Sequence, residues 1–524
     1  MPHFLENRRV SRPEASPSSA AERGLLDRSR VTAPVGRPEP VPAGVASPSH
    51  DPTMHPSIFN VRVPLPDGSV FLMNTLTDAQ LAVTPDVVEL IDDLGAGRVR
   101  PDSLDAEARS VVGTLSEQGF LTSGPVADRR AVEERFELFH EDTSELRITV
   151  LTTLQCNFAC EYCVQGDHGT HNATARRMSL ETASRVAAWV EEQLDAVRPQ
   201  RLVLTFFGGE PLLNLPVVYY LAERLWSASQ SRRVTMVASV ITNGLLLTPT
   251  VVDRLLPFGL KGVKVTLDGD REAHDRARPL RGGQGTFDRI VANLRQVAGR
   301  CAITIGGNVD ERWIDRYPAL LAFLRAQDFA ESLAKVSFKP VIRRRKEAPA
   351  PRGTIRLVAV DASGAPLGGG CQSAAGQGGS PCDTCHFVDD HMATLREETR
   401  RHGFPTPDGV HMGPCELHRR HAHTIGPDGE RYACPGFAGE EEFVVGDVSG
   451  QSPASEAHAA RRFDRLEPWR ACGDCPFIPV CGGGCSVAAH HELGDMTAPA
   501  CHKASFESAL VSLAHEVAGT GGAA

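Results

Sequence analysis

Hydrophobic and polar positions divide the chain into three regimes. Residues 1–53 are rich in Pro, Ser, Ala, Arg and Glu and show no apolar periodicity, so they are expected to be disordered. Order begins near Phe59. Residues 59–72 alternate apolar and polar positions around Pro66-Asp67-Gly68, which predicts a hairpin. Helical patterns follow near 78–95 and 104–119 and end at Gly119-Phe120-Leu121. Together these predict a small α+β unit over 57–125, serving either as a structural extension or as a substrate-docking module.

Between 146 and 340 the period switches repeatedly. Strands are predicted at 147–153, 202–206, 235–241, 262–267, 301–306 and 335–339, and helices at 179–195, 215–229, 249–256, 285–299 and 316–327. Strands joined by helical crossovers pair in parallel. Six βα units suit an open, partial (β/α)6 barrel better than a closed eight-stranded one, with ligands at the carboxyl ends of the strands. Residues 341–412 read as a linker or bridging region, Gly- and Pro-rich at 346–385, with one helix near 387–402. Residues 413–503 show little periodicity and many cysteines, so metal ligation is expected to fold them. A C-terminal helix and tail occupy 504–524.

Composition adds three constraints. A length of 524 residues implies two or three domains, and a hydrophobic fraction of 41% supports a large core. A formal net charge of -10 argues against a nucleic-acid partner, the Arg343-Arg344-Arg345 run notwithstanding. No apolar run approaches a membrane span and the N-terminus lacks an apolar h-region, so a cytoplasmic location without a membrane partner is expected. Fourteen cysteines in such a compartment call for thiolates held by metal rather than disulfides.

The cysteines cluster. Cys156, Cys160 and Cys163 directly follow the first barrel strand at C-x3-C-x2-C spacing. Three thiolates can ligate three irons of a [4Fe–4S] cubane and leave the fourth free for the amino and carboxylate groups of S-adenosylmethionine. The competing reading is a zinc site lacking its fourth ligand. Four more motifs fall at strand ends: Gly208-Gly209-Glu210-Pro211, Thr242-Asn243-Gly244, Thr266-Leu267-Asp268-Gly269 with His274, Asp275 and Arg278 behind it, and Asn308. With these residues the segment 146–340 resembles the radical S-adenosylmethionine superfamily. The resemblance implies a reductively cleaved cosubstrate contacted by the GGEP, TNG and TLDG motifs, by Arg278 and by Asn308. It implies that Glu210 accepts from the cosubstrate ammonium, that the two glycines allow close backbone approach, and that an electron donor such as flavodoxin or ferredoxin serves the cluster.

A second array runs Cys415, Cys434, Cys472-x2-Cys475-x5-Cys481-x3-Cys485 and Cys501. Over 413–503 it resembles the SPASM domain, which carries two auxiliary [4Fe–4S] clusters in peptide-modifying enzymes. The resemblance implies an outer cluster on Cys472, Cys475, Cys481 and Cys501, and an inner one on Cys415, Cys434 and Cys485. The inner fourth ligand is open: Cys382 and Cys385 are the favoured candidates with Cys371 behind them, or an iron is left free. Cys382-x2-Cys385-His386 also matches a haem c attachment pattern, which the lack of an export signal disfavours. Cys301 reads as a buried apolar thiol. His168, His171, His418, His421 and His423 read as ordinary or supporting polarity, and the Gly368–Gly370 run lacks the context of a nucleotide loop.

The leading expectation is therefore a radical enzyme that oxidatively modifies a ribosomally made precursor peptide. Residues 71–77 and the helices after them resemble the winged-helix-like unit that captures leader peptides by strand addition. The alternatives are a sulfatase-type maturase, disfavoured because Pro435 and not an aspartate follows Cys434, a small-molecule dehydrogenase, and a non-catalytic zinc scaffold.

Overall fold

The computed structural model describes residues 54–165, 175–342, 383–411, 413–450, 460, 463–464 and 466–521. Readings placed on residues 1–53, His168, His171, 343–345, 368–370, Cys371 and Cys382 lie outside the described residues. Cys385 falls in a described helix, Asp383–Arg401, but its side chain lies outside the description.

The N-terminal unit starts with β1 (His55–Pro56), then β2 (Asn60–Pro64) and β3 (Val70–Asn74), the expected hairpin, with Val63 opposite Phe71. The helix expected from residue 78 starts later. Residues Ala79–Val83 form β4, a third antiparallel strand beside β3, and α1 runs Pro85–Gly95. The reason is local: 79–83 buries Leu81 and Val83 at period two, and Pro85 suits the first turn of a helix, where no N–H is needed. Helix α2 (Ala106–Glu117) is capped by Asp105, which accepts from Ala108 N. Then β5 (Leu121–Thr122) pairs with β1, and α3 (Pro125–His140) leads into the barrel.

Six parallel strands follow: β6 (Glu145–Leu151), β7 (Arg201–Phe207), β8 (Thr235–Thr242), β9 (Leu260–Thr266), β10 (Ala302–Val309) and β11 (Leu333–Pro340). They pair side by side in chain order, as expected. Alternate residues such as Leu202, Leu204 and Phe206 are buried against the crossover helices, whereas Val203, Thr205 and Phe207 face the concave side.

The distal region departs from expectation. Its cysteine-rich stretch contributes β12 (Ala422–Ile425), β13 (Glu430–Tyr432) and β14 (Val444–Asp447), which extend the sheet beyond β6. Strand β12 lies parallel to β6, with Thr424 beside Thr149. Strands of three or four residues are too short to register as a period, and pairing with a preformed neighbour stabilises them. The result is an open nine-stranded sheet ending at β11 and β14.

The N-terminal sheet is packed on both faces. Leu72, Leu81 and Val83 meet α1 and α2. Val61, Val63, Phe71 and Met73 meet Phe477, Val480 and the C-terminal helix Lys503–Gly521 through Phe506, Leu510 and Leu513. Phe136 packs on Trp469 with ring centroids 5.1 Å apart, and Arg470 pairs with Glu133 at 2.7 Å. The α+β unit thus leans on the segment that carries the distal cysteines. No described helix is long and apolar enough to cross a membrane.

One polar clasp closes this contact. His411 hydrogen-bonds Asp408 through Nδ1 and lies 2.6 Å from Asp78 Oδ1 through Nε2. The Asp408 and Asp78 hydrogen bonds push the imidazole up to about 10 from its ordinary 6.5. A raised folded-state pKa means the stabilisation is complete below pH 6.5 and is lost as pH rises through about 10. His411→Ala is expected to cost up to about 1 kcal/mol after solvent screening, read as a lower unfolding midpoint at pH 6. The difference from the parent should shrink as pH approaches 10. A constant difference across that range would show that the charge is not what holds the clasp.

Candidate active site

The loop after β6 is held by the end of β7. Thr152 and Thr153 are buried, and Leu154-Gln155 leads to Cys156. Gly209 N donates to Thr153 O at 3.0 Å and Glu210 N donates to Gln155 O at 2.9 Å. A Cβ on Gly208, whose φ is +127°, would come within 2.4 Å of Thr153 O, and one on Gly209 within 2.2 Å of Gln155 O. The close approach these glycines permit is therefore to the cysteine loop itself, a refinement of the expected approach to a cosubstrate.

Glu210 is fully buried. Its Oε1 accepts from Leu212 N at 3.0 Å and from the Thr242 hydroxyl at 2.8 Å, and its Oε2 accepts from Asn243 N at 2.8 Å. Burial pushes its pKa up and these donors pull it back. The sequence reading gave this carboxylate to a cosubstrate ammonium. In the fold it first ties the ends of β7 and β8 together, with Oε2 keeping capacity for one more donor. Asn243 in turn donates to Asn157 Oδ1 at 2.7 Å, and its Nδ2 lies 4.0 Å from Cys156 Sγ.

A second network joins β9, β10 and the cysteine loop. Tyr162, between Cys160 and Cys163, hydrogen-bonds Asp268 through its hydroxyl. That oxygen accepts from Arg278 Nη1 at 2.6 Å and from Asn308 Nδ2 at 3.2 Å. Asn308 N donates to Asp268 Oδ1 at 2.6 Å. Burial alone would lower the Arg278 pKa, but Tyr162, Cys160 and Asp268 outweigh it, so the guanidinium stays charged. Its Nε is buried and has no partner among the described residues. His274 is fully buried and held neutral by burial. Its Nδ1 accepts from Asp268 N at 3.1 Å, so Nε2 carries the hydrogen toward Thr286 Oγ1 at 3.1 Å. Thr286 donates onward to Arg278 O at 2.9 Å. Asp275 accepts from Thr286 N and Phe287 N at 2.7 and 2.9 Å. His274 and Asp275 thus position the loop that delivers Arg278. Thr266 ends β9 on the concave face, opposite Gly306.

All the described cysteines of the distal pattern fall into two groups. Cys475, Cys481 and Cys501 stand near enough to raise the pKa of Cys472, and Cys415 and Cys485 near enough to raise that of Cys434. Burial, reinforced by these neighbours, pushes Cys434 and Cys472 up to about 12, and burial is also the main cause that takes Cys156 to about 12 and Cys160 to about 11. Such thiols become thiolates only when a cation displaces the proton. Among the described residues no three His, Cys, Asp or Glu are drawn together closely enough for a single ion. A cubane sets each thiolate on a different corner and needs a wider spacing.

The remaining candidates stay apart from this centre. Cys301 is partly buried against the main core. His423 packs edge-on against Trp189 at 5.2 Å, and burial lowers its pKa to about 3. Burial also lowers His418 and His421. Sequence reasoning missed Asn157 and Gln165. Asn157 lies inside the cysteine motif and was visible there. Gln165 Nε2 donates to Pro435 O at 3.3 Å across 270 residues, which no local pattern signals.

Gly209→Ala is expected to dislodge the Cys156 loop and reduce iron incorporation at that site in a variant that keeps all its thiols. Normal iron content would show that the clash is relieved elsewhere. Glu210→Gln places an amide NH2 against backbone or hydroxyl donors and should cost about 1–3 kcal/mol, read by thermal unfolding.

Three comparisons bear on this site. The radical SAM superfamily model matches residues 150–309. Mycofactocin maturase MftC of Mycobacterium tuberculosis (strain H37Rv) is 25% identical over 373 residues, covering 69% of this chain and 84% of the relative. AdoMet-dependent heme synthase of Methanosarcina barkeri is 30% identical over 143 residues, so this chain spans only 36% of that relative. The solved structure of native anSMEcpe with bound AdoMet and Cp18Cys peptide shares the fold, with a TM-score of 0.51 at 16% identity over 71% of this chain and 99% of that one. The superfamily match opens on the strand that delivers Cys156 and closes on the strand that delivers Asn308, and with the maturase likeness it supports an enzyme with radical SAM chemistry.

Proposed function

We propose that this enzyme oxidatively matures a ribosomally made precursor peptide, with a radical SAM cluster on Cys156, Cys160 and Cys163 and auxiliary clusters on the two distal groups. The observation that carries this reading is the Gln165–Pro435 hydrogen bond, which sets the loop after Cys163 against the loop after Cys434. When bound, these groups supply one electron for reductive cleavage of S-adenosylmethionine and an electron acceptor beside the reacting substrate.

The donor sets fit the groups. Three thiols, one buried and two partly buried, share one loop with no fourth cysteine in it, and the distal thiols divide into four and three. Around the first site, the Arg278 Nε and Asn308 would hold the cosubstrate's carboxylate and ribose, and the spare capacity of Glu210 Oε2 would take its ammonium. Tyr162 and Asp268 keep Arg278 aimed. An electron donor of the flavodoxin or ferredoxin class completes the system.

A peptide substrate is favoured by the likeness to a maturase over most of the chain and by the α+β unit. There, among the described residues, β4 pairs only with β3 and leaves an edge for strand addition. This winged-helix-like unit also covers the outer cysteine segment, so deleting residues 57–125 would disturb both. Peptide binding is better tested on the whole chain.

Cys156→Ala, Cys160→Ala and Cys163→Ala are each expected to abolish 5′-deoxyadenosine formation by the reconstituted protein. Any variant that still forms it would sink the first-site assignment. Co-expression with a short neighbouring reading frame should give a peptide lighter by two hydrogens in mass spectrometry. An unchanged peptide mass with full cosubstrate cleavage would count against peptide maturation.

A further inference from the structure

The concave face of the barrel carries three lysines that pair with no acidic group among the described residues. In the β9–β10–β11 register, Lys264 lies opposite Thr304, which lies opposite Lys335. Two residues on, Thr266, Gly306 and Ser337 form the next row, and two further Asn308 lies opposite Lys339. These are same-face positions, so Lys264, Lys335 and Lys339 point into one concavity. Among the described residues none of the three makes an ion pair. Lys264 is partly buried, and burial followed by the charges of Lys339 and Lys335 pushes its pKa down, so the three ammonium groups repel within one space.

Two features mark the concavity as a binding site rather than incidental surface. The first is Gly306. A Cβ there would come within 2.7 Å of Lys264 Cε and 3.6 Å of its Nζ, so the missing side chain is what lets the lysine lie along the floor toward the strand ends. The second is position. Lys339 is paired in register with Asn308, whose amide bonds Tyr162 inside the first cysteine loop, and its charge acts on Cys434 in the inner group. The lysines therefore sit between the two places where the proposed chemistry starts and ends. Lys335 and Lys339 are exposed and Lys264 is partly buried; crowding three ammonium groups, one of them partly desolvated, is costly, and a bound anion relieves it.

We infer that Lys264, Lys335 and Lys339 hold a carboxylate of the peptide substrate, fixing the reacting residue between the first cysteine loop and the inner cysteine group. The inference rests on the peptide reading above. A carboxylate accepts from several ammonium donors at once through charge-assisted hydrogen bonds. Its source is either the peptide's C-terminus or an acidic side chain.

The test is competitive acetylation of the anaerobic, reconstituted holoenzyme with S-adenosylmethionine, read lysine by lysine by mass spectrometry. It needs no precursor. The probes are acetyl-pentaalanine with a free C-terminus, the same peptide amidated, an amidated acetyl-Ala-Ala-Glu-Ala-Ala, glutarate and inorganic phosphate, with exposed Lys261 as the internal control. One or both carboxylate peptides should protect Lys264 and Lys339 while the amidated pentaalanine does not, and the one that protects names the source. In Lys339→Gln the concentration giving half-protection of Lys264 should rise about tenfold, the factor for one charge-assisted bond, and Lys335→Gln provides a second variant. No protection by any carboxylate, or equal protection by phosphate, would overturn the inference. Protection by glutarate but by neither peptide would keep the carboxylate site and remove the peptide reading.

Discussion

The buried Glu210 carboxylate is the constraint on which the active end of the barrel depends. Parallel strands leave their carboxyl ends splayed, with backbone donors that no ladder satisfies. Glu210 takes the Asn243 amide and the Thr242 hydroxyl from the end of β8 and the Leu212 amide from its own turn. The peptide on its N-terminal side binds Thr153 and Gln155, so the same short segment also fixes the loop that presents Cys156. One buried carboxyl group, with three donors from the protein, aligns three chain segments that are far apart in sequence.

Around that point the structure is a set of nested supports. His274, neutral because it is buried, reads the Asp268 amide on one side and Thr286 on the other, and Thr286 reaches the backbone of Arg278. Arg278 and Asn308 then meet at the Tyr162 hydroxyl. The distal cysteines are not an appendage to this. Their strands continue the barrel sheet past β6, and Pro435 accepts a hydrogen bond from the first cysteine loop. The N-terminal sheet closes the assembly from the outer side through Phe59, Trp469 and Ile478.

Much of this was legible along the chain. The strands and helices from 146 to 340 alternate between periods of two and 3.6 over long segments, and their positions in the fold match the pattern to within a few residues. The motif residues fall at the strand ends because a βα unit places its loop there. The legible part failed where elements are short or tertiary. Residues 79–83 joined a helical pattern in sequence because five residues support either period, and the neighbouring β3 decided for a strand. Strands β12 to β14 exist because β6 offers an edge.

Sequence by itself determined the chemistry on offer: thiols at cluster spacing, glycines and carboxylates at strand ends, and a second cysteine array. These follow from residue type and local spacing, which the chain carries wherever it goes. Only the tertiary structure decided which groups meet. It turned the Glu210 carboxylate inward to staple strand ends, brought Pro435 to Gln165, and gathered Lys264, Lys335 and Lys339 on one concave face. Each of those is a contact across tens to hundreds of residues, set by strand order and register, and neither quantity is written in any local stretch of the chain.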